Sequence, residues 1–253
     1  MKQSRHKHIS SPLHSFCRKH LTLRVFEGLI NLLYPQQCPG CDKTVGKQDI
    51  FCSCCKTTIE PICEPFCPRC FLPYESGVSH LCPECRSNPP PFETAAAVFR
   101  YGGALARGVQ RLKYGRQIHM GKPLGSLLAH HLAALNPEII APVPLEPKRL
   151  RARGFNQSYE LIKGVREKTA VVIPNLLARK PGGSPQASKS FAERRNLKSS
   201  VFKVSKLKQI QDRRLVMVDD VMTTGATARA CSAALVAAGA KSVSFLALAR
   251  TQR

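Results

Sequence analysis

The stretch "LVMVDDVMTTGATARA", residues 215–230, decides the fold. Leu215 to Val218 is a short apolar, partly β-branched run without alternation, as expected for a strand buried on both faces of a parallel sheet. Thr227 to Ala238 reads as an alanine-rich helix stopped by Gly239. Between them the chain carries two adjacent carboxylates, Asp219 and Asp220, and then breaks into Thr-Thr-Gly-Ala-Thr. Ligands of open α/β sheets bind beyond the carboxyl ends of the strands, and the first turn of a helix offers unpaired N–H groups and a positive dipole end. The loop is therefore placed for a phosphate.

Outward from this unit the same alternation recurs. Strands are expected at "TAAAVFRY" (94–101), "EIIAPVP" (138–144) and "SVSFLALAR" (242–250). Helices are expected at "GALARGVQRLKY" (103–114), "GKPLGSLLAHHLAAL" (121–135) and "NQSYELIKGVREK" (156–168), with "ARKPGGSPQASKS" (178–190) as a mobile loop. Strand and helix alternating in this way predict one α/β domain over 93–253, with a mainly parallel sheet and helices on both faces. Leu23, Phe26, Leu29, Ile30 and Leu33 stand at helical spacing and predict an amphipathic helix over 21–36, ended at Pro35. Before it, residues 1–20 form a basic terminus expected to be disordered. "NPPPF" at 88–92 reads as a stiff linker.

The cysteines are unevenly placed. Eleven of the 12 fall between Cys17 and Cys85, and only Cys231 lies in the rest of the chain. Four Cys-x-x-Cys pairs stand at Cys38/Cys41, Cys52/Cys55, Cys67/Cys70 and Cys82/Cys85. Each pair forms a knuckle whose thiolates converge on one ion, so eight thiols fit two tetrahedral, structural Zn²⁺ sites within a module over 37–88. Sequential pairing, the arrangement expected here, gives a double zinc ribbon; interleaved pairing gives a cross-braced module. Cys54, Cys63, Cys17 and His80 stay outside the ligand sets. Sites filled by four thiolates keep no open position, which excludes a catalytic role for these ions.

A net charge of +23 attracts polyanions, nucleic acid among them, though a polyphosphate ligand suits it as well. No segment carries the roughly 20 apolar residues of a membrane span. The basic start lacks the apolar centre of a secretory signal, so a cytoplasmic, reducing location is expected, with thiols as metal ligands rather than disulfides.

Two carboxylates after a strand also occur in Walker B motifs, but the Gly-x-x-x-x-Gly-Lys-Ser/Thr loop that must accompany one is missing from this sequence. Four apolar residues followed by Asp-Asp-Val-Met-Thr-Thr-Gly-Ala-Thr resemble the phosphoribosyl pyrophosphate (PRPP) signature of type I phosphoribosyltransferases. In such a site Asp219 and Asp220 accept hydrogen bonds from vicinal ribose hydroxyls. Thr223, Thr224, Gly225, Ala226 and Thr227 surround the 5-phosphate, with Gly225 letting the backbone come close. Pyrophosphate, generally with Mg²⁺, needs cations and oriented N–H groups. The turn after the strand at 138–144, with Val143 and Pro144, and the cations Lys113, Arg149 and Arg153 are candidates; each cation also reads as part of a solvated basic face. Asn156 equally reads as a helix N-cap.

"YGGALARGVQRLKYGR", "PVPLEPKRLRARGFNQS" and "SPQASKSFAERRNLKSSVFKV", with the cysteine block in front, resemble the competence protein F (ComF) family from about residue 21 to the C-terminus. Arg153 to Gln157 is the most distinctive string. The longer basic N-terminus and "Gly-Gly-Ser-Pro-Gln", in place of a Thr-x-x-Gln-like string, depart from the family. The resemblance implies zinc ribbons before a type I phosphoribosyltransferase-like domain, PRPP as ligand, and handling of single-stranded DNA in natural transformation, beside a DNA-uptake helicase. It leaves turnover open: a salvage transferase and a PRPP sensor share this site. No base-recognition hood is legible. Among the few aromatic residues, Phe155 is the first candidate for stacking on DNA bases.

Overall fold

The computed structural model describes residues 35–46, 48–165, 170–180 and 199–252. The terminus at 1–20, all but the last two residues of the helix expected over 21–36, and residues 181–190 of the expected loop lie outside them. In chain order the strands are β1 Ala95–Arg100, β2 Ile139–Pro142, β3 Val171–Val172, β4 Leu177–Arg179, β5 Phe202–Val204, β6 Arg214–Met222 and β7 Ser242–Arg250. The α-helices are α1 Ser53–Lys56, α2 Pro83–Ser87, α3 Gly103–Tyr114, α4 Gly121–Ser126, α5 Ala129–Ala134, α6 Pro147–Arg153, α7 Gln157–Ile162, α8 Leu207–Ile210 and α9 Ala226–Ala237.

Five strands form one parallel sheet in the order β1-β7-β6-β2-β3, while β4 and β5 pair antiparallel beside it. The chain leaves β2 toward β3 on one side and leaves β6 toward β7 on the other, so the strand order reverses between β6 and β2. Such a switch point opens a crevice at the carboxyl ends of the two strands.

Period-2 alternation divides the core. Val216, Val218, Leu246 and Leu248 face Leu105, Val109, Leu112, Leu124 and Leu161 of α3, α4 and α7. Leu215, Met217, Phe245 and Ala247 face Ala228, Cys231 and Leu235 of α9, together with Phe202 of β5. Burial on both faces is why these strands read as unbroken apolar runs.

The cysteine-rich segment closes the free edge of β1. Ile62 N–H donates to Val98 O and Arg100 N–H to Glu60 O, an antiparallel bridge that caps an otherwise open sheet edge. The expected linker is packed rather than free: Phe92 is buried in the same cluster as Cys67, Cys82 and Phe245. Among the described residues no helix is long and apolar enough to cross a membrane.

One strand and two helices differ from expectation in their extent, and β4 reaches into the segment expected to be loop. β6 runs on past Val218 to Met222, because β7 keeps pairing with it through Asp219↔Ala247, Val221↔Ala249 and Met222↔Arg250. The helix expected over 121–135 divides into α4 and α5, where Leu127 N–H turns to Leu124 O; Gly121, Pro123 and Gly125 weaken the first half. The helix expected over 156–168 stops at Ile162, with Gly164 N–H on Leu161 O.

Candidate functional site

The crevice at the switch point is a cleft of ≈ 180 Å³. β2 stops pairing with β6 at Pro142↔Val218, so the two residues that follow on β6, Asp219 and Asp220, stand beside the turn that leaves β2. Val143, Pro144, Leu145 and Glu146 of that turn line one wall, and Val143 N–H donates to Val218 O at 2.9 Å. Asn156 caps α7 by accepting Ser158 N–H at 3.0 Å, and its Nδ2 donates to Val143 O at 2.9 Å. One side chain thus starts a helix and fixes the turn.

The structure brings Lys113, Val143, Pro144, Arg149, Arg153, Asp219, Asp220 and Thr227 to one cleft. Thr223, Thr224, Gly225 and Ala226 form its approach to α9 without lining it; Thr223 is exposed and Ala226 buried. Gly225 has φ +80°, the left-handed region that favours glycine, and a Cβ built there meets nothing within 4 Å. Thr224 Oγ1 accepts Ala226 N–H at 3.3 Å.

The two carboxylates are not equivalent. Asp220 is 3% exposed and paired with Lys113, Nζ to Oδ1 2.8 Å; its Oδ2 is buried with no hydrogen-bond partner among the described residues. Burial works against the Lys113 charge, but Asp220 and Asp219 outweigh it and hold the ammonium above its ordinary pKa. Lys113, a candidate for a pyrophosphate, therefore points its charge at a carboxylate. Asp219 is partly exposed and accepts from Ser158 Oγ at 3.0 Å and from Asp220 N–H at 2.9 Å. Loss of water and the neighbouring Asp220 charge push its carboxyl up to about 7, against the pull of Lys113, Asp220 N–H and Ser158.

Tyr114, Gln157, Arg179 and Val221 complete the lining. Arg179 comes from β4, inside the segment expected to be loop; burial lowers its pKa, and Glu146 opposes that. One arginine on a three-residue strand carries no periodic signal, so sequence reasoning had nothing to find it by. Gln157 is buried and accepts from Arg153 Nη1.

Lys113, Tyr114, Arg149 and Arg153 also wall a second chamber of ≈ 400 Å³, completed by Arg116 and Ala152. Among the described residues it holds no carboxylate. The Arg153 guanidinium lies 5.4 Å from the centroid of the Tyr114 ring, and Tyr114 is 76% exposed. Phe155, the aromatic expected to stack, is instead 8% exposed and belongs to the core beside Leu161 and Val218; it follows the Gly154 turn inward and cannot meet a base.

The eight paired cysteines form two groups, Cys38/Cys41/Cys52/Cys55 and Cys67/Cys70/Cys82/Cys85, each with its sulfurs within 4.8 Å of one another. Pairing is sequential, and the cross-braced alternative is excluded. Backbone N–H groups already point at sulfur, Cys52 N to Cys38 Sγ at 3.4 Å and Cys82 N to Cys67 Sγ at 3.3 Å, as thiolate ligands require. An N–H from Cys55 lowers Cys52 to about 7, and N–H groups including that of Cys82 bring Cys67 to about 7 against its burial. Both groups fit a structural zinc ion. Cys54 and Cys63 are exposed outside them, and His80 stacks on Tyr74 at 4.4 Å.

Comparison with known proteins agrees with this reading of the cysteines: residues 29–91 match the family described as "Double zinc ribbon domain". Among solved structures, the chain is similar to a hypoxanthine-guanine phosphoribosyltransferase of Bacillus anthracis, with 14% identity, a TM-score of 0.32, and 53% of this chain and 68% of that one covered. It is 32% identical over 200 residues to the DNA utilization protein YhgH of Escherichia coli, covering 73% of this chain and 84% of that protein. It is 29% identical over 210 residues to competence protein F of Haemophilus influenzae, covering 79% and 90%. With relatives of this similarity along most of their length and zinc-ribbon cysteines in front of a parallel α/β sheet, the chain belongs to the competence protein F family.

Proposed function

We propose that the cleft binds PRPP or a related phosphoribosyl ligand, and that the protein uses it in cytoplasmic handling of single-stranded DNA during natural transformation. One observation carries the first half: two carboxylates at the switch point stand beside a twelve-residue helix whose entry, Gly225, leaves open space above the N-terminus. In this reading Asp219 and the unpaired Oδ2 of Asp220 accept from the ribose hydroxyls. The first turn of α9 takes the 5-phosphate, and Arg149, Arg153 and Arg179 face the pyrophosphate. Oxygen donors and pyrophosphate together suit Mg²⁺, which would neutralise charge on the leaving group.

Titration calorimetry with PRPP and Mg²⁺, followed by a panel of nucleobases, tests it. Binding with pyrophosphate release for one base makes the protein a transferase; binding without turnover makes it a sensor. No binding of PRPP or ribose 5-phosphate removes the reading.

The second chamber favours the DNA half. Deoxyribose has no vicinal diol to offer Asp219 and Asp220. A single strand instead suits the carboxylate-free chamber, where Arg116, Arg149 and Arg153 surround an exposed Tyr114 ring. Aromatic platforms flanked by cations bind single strands with little sequence preference. The names of the relatives, a DNA utilization protein and a competence protein, support the same direction.

A further inference from the structure

Besides the bridge to β1, the cysteine module meets the α/β body at two places that lead to the cleft. The second four-cysteine group reaches β7 and α9. Arg250, the last residue of β7, is 1% exposed, and its Nη2 lies 3.7 Å from Cys70 Sγ. A zinc ion held by four thiolates leaves surplus negative charge, which a buried guanidinium offsets while donating to sulfur. Arg250 is also the register partner of Met222, the last residue of β6, and Thr251 N–H donates to Met222 O at 3.1 Å. The strand end that carries the guanidinium therefore holds the point where the 223–225 turn begins.

The other end of that turn is tied to the same group. Arg229, in the first turn of α9, donates its N–H to Gly225 O at 2.9 Å, and its Nη2 lies 3.8 Å from Glu84 Oε1. Glu84 belongs to α2, whose N-cap is the ligand Cys82. The first four-cysteine group serves a different element, α3. Arg107 Nε donates to Gly40 O at 2.8 Å, Ala104 N–H donates to Thr58 Oγ1 at 3.0 Å, and a Cβ on Gly108 would sit 2.9 Å from Pro39 Cβ. α3 ends at Lys113 and Tyr114.

We propose that Arg250 and Arg229 are positioning residues through which the second zinc centre sets the 223–227 loop, so that metal at this centre controls phosphate binding, while the first centre sets α3. The ligand part rests on the reading that this loop holds the phosphate; the bracing does not. A ribbon serving only as a partner-binding appendage has no need of a buried cation running into the sheet.

The test uses the full-length, zinc-loaded protein with three readouts: zinc release to a chromogenic chelator, hydrogen exchange over 222–230, and affinity for ribose 5-phosphate. Arg250→Met is expected to release one of two zinc ions readily, the second centre holding metal about 10- to 100-fold more weakly. It should speed exchange at 222–227 and weaken ribose 5-phosphate binding, with exchange in α3 unchanged. Glu84→Gln, at a partly exposed site, should speed exchange at 226–230 alone; it carries the test if Arg250→Met loses the whole fold. Parent-like zinc release and parent-like exchange over 222–230 in a folded Arg250→Met, or parent-like exchange in Glu84→Gln, overturn the proposal. A parent that fails to bind ribose 5-phosphate removes the ligand reading, and exchange still decides the bracing.

Discussion

Lys113 Nζ lies 2.8 Å from Asp220 Oδ1, and the two side chains are 20% and 4% exposed. The contact joins the C-terminal turn of α3 to the end of β6, so it closes the cleft from the side as well as balancing its charge. Removing one member of a buried pair leaves the other uncompensated, which costs far more than losing a surface ion pair. Lys113→Met should therefore lower unfolding free energy by about 3 kcal/mol at neutral pH. Adding Asp220→Asn should recover most of that loss. Equal denaturation midpoints for the parent and Lys113→Met would show that the pair contributes nothing.

Asp219 gives the site a pH signature. Burial and the Asp220 charge hold its carboxyl at about 7 in the folded chain, whereas an unfolded chain ionises it near pH 4. Between those values the folded state keeps a proton that the unfolded state has released, so stability falls as pH rises across this window and is level on either side. Asp219→Asn should flatten the slope. Ribose hydroxyls donate best to the ionised form, so ligand affinity should rise between about pH 6 and pH 8 in the parent. An identical affinity profile in Asp219→Asn would separate this carboxyl from the ligand.

Much of the architecture was legible because its signals are local. Cys-x-x-Cys spacing is a property of four residues, so both metal groups could be anticipated, and their sequential pairing follows chain order. The run at 215–218 announced a buried strand because both its faces are covered, and 138–144 announced the strand that pairs with it. What the sequence hid depends on neighbours. Asp219 reads as the end of a strand, since charge breaks the apolar run, yet β7 keeps pairing as far as Met222. Arg179, Glu146 and Tyr114 join the cleft only because β4, α6 and α3 converge there. Phe155 and Tyr114 are both aromatics near arginines; only packing shows that one is core and the other 76% exposed.

Tyr114 should carry the contact with bases. Tyr114→Ala is expected to weaken single-stranded DNA binding by about 1–3 kcal/mol, with little dependence on sequence and an unchanged salt slope. If the strand places about five phosphates on the protein, log affinity should fall with log salt at a slope of roughly −3.5. Arg149→Gln should flatten it by about 0.7. Salt-independent binding, or a Tyr114→Ala variant as tight as the parent, would move the DNA away from this chamber.

Gly225 separates a phosphate loop from an ordinary turn. Its φ of +80° admits glycine freely and asparagine tolerably, but a β-branched side chain there is strained by about 1–2 kcal/mol. Gly225→Val should thus lose both stability and ligand, which alone is ambiguous. Gly225→Asn is the sharper probe, because it keeps the backbone while placing a side chain in space where a Cβ meets nothing within 4 Å. Its melting temperature should stay near that of the parent while ribose 5-phosphate binding falls at least tenfold, a loss of about 1.4 kcal/mol. Thr224→Val removes the hydroxyl that accepts Ala226 N–H and should weaken the phosphate contact more mildly. Asp219→Asn with Asp220→Asn removes the charged acceptors, each worth about 1.5–3 kcal/mol, and attacks the ribose end instead. If Gly225→Asn and the double Asn variant both bind as tightly as the parent, residues 219–227 are only a turn between strand and helix. The transferase and sensor readings then fall together, and single-stranded DNA in the second chamber stands without a phosphoribosyl ligand beside it.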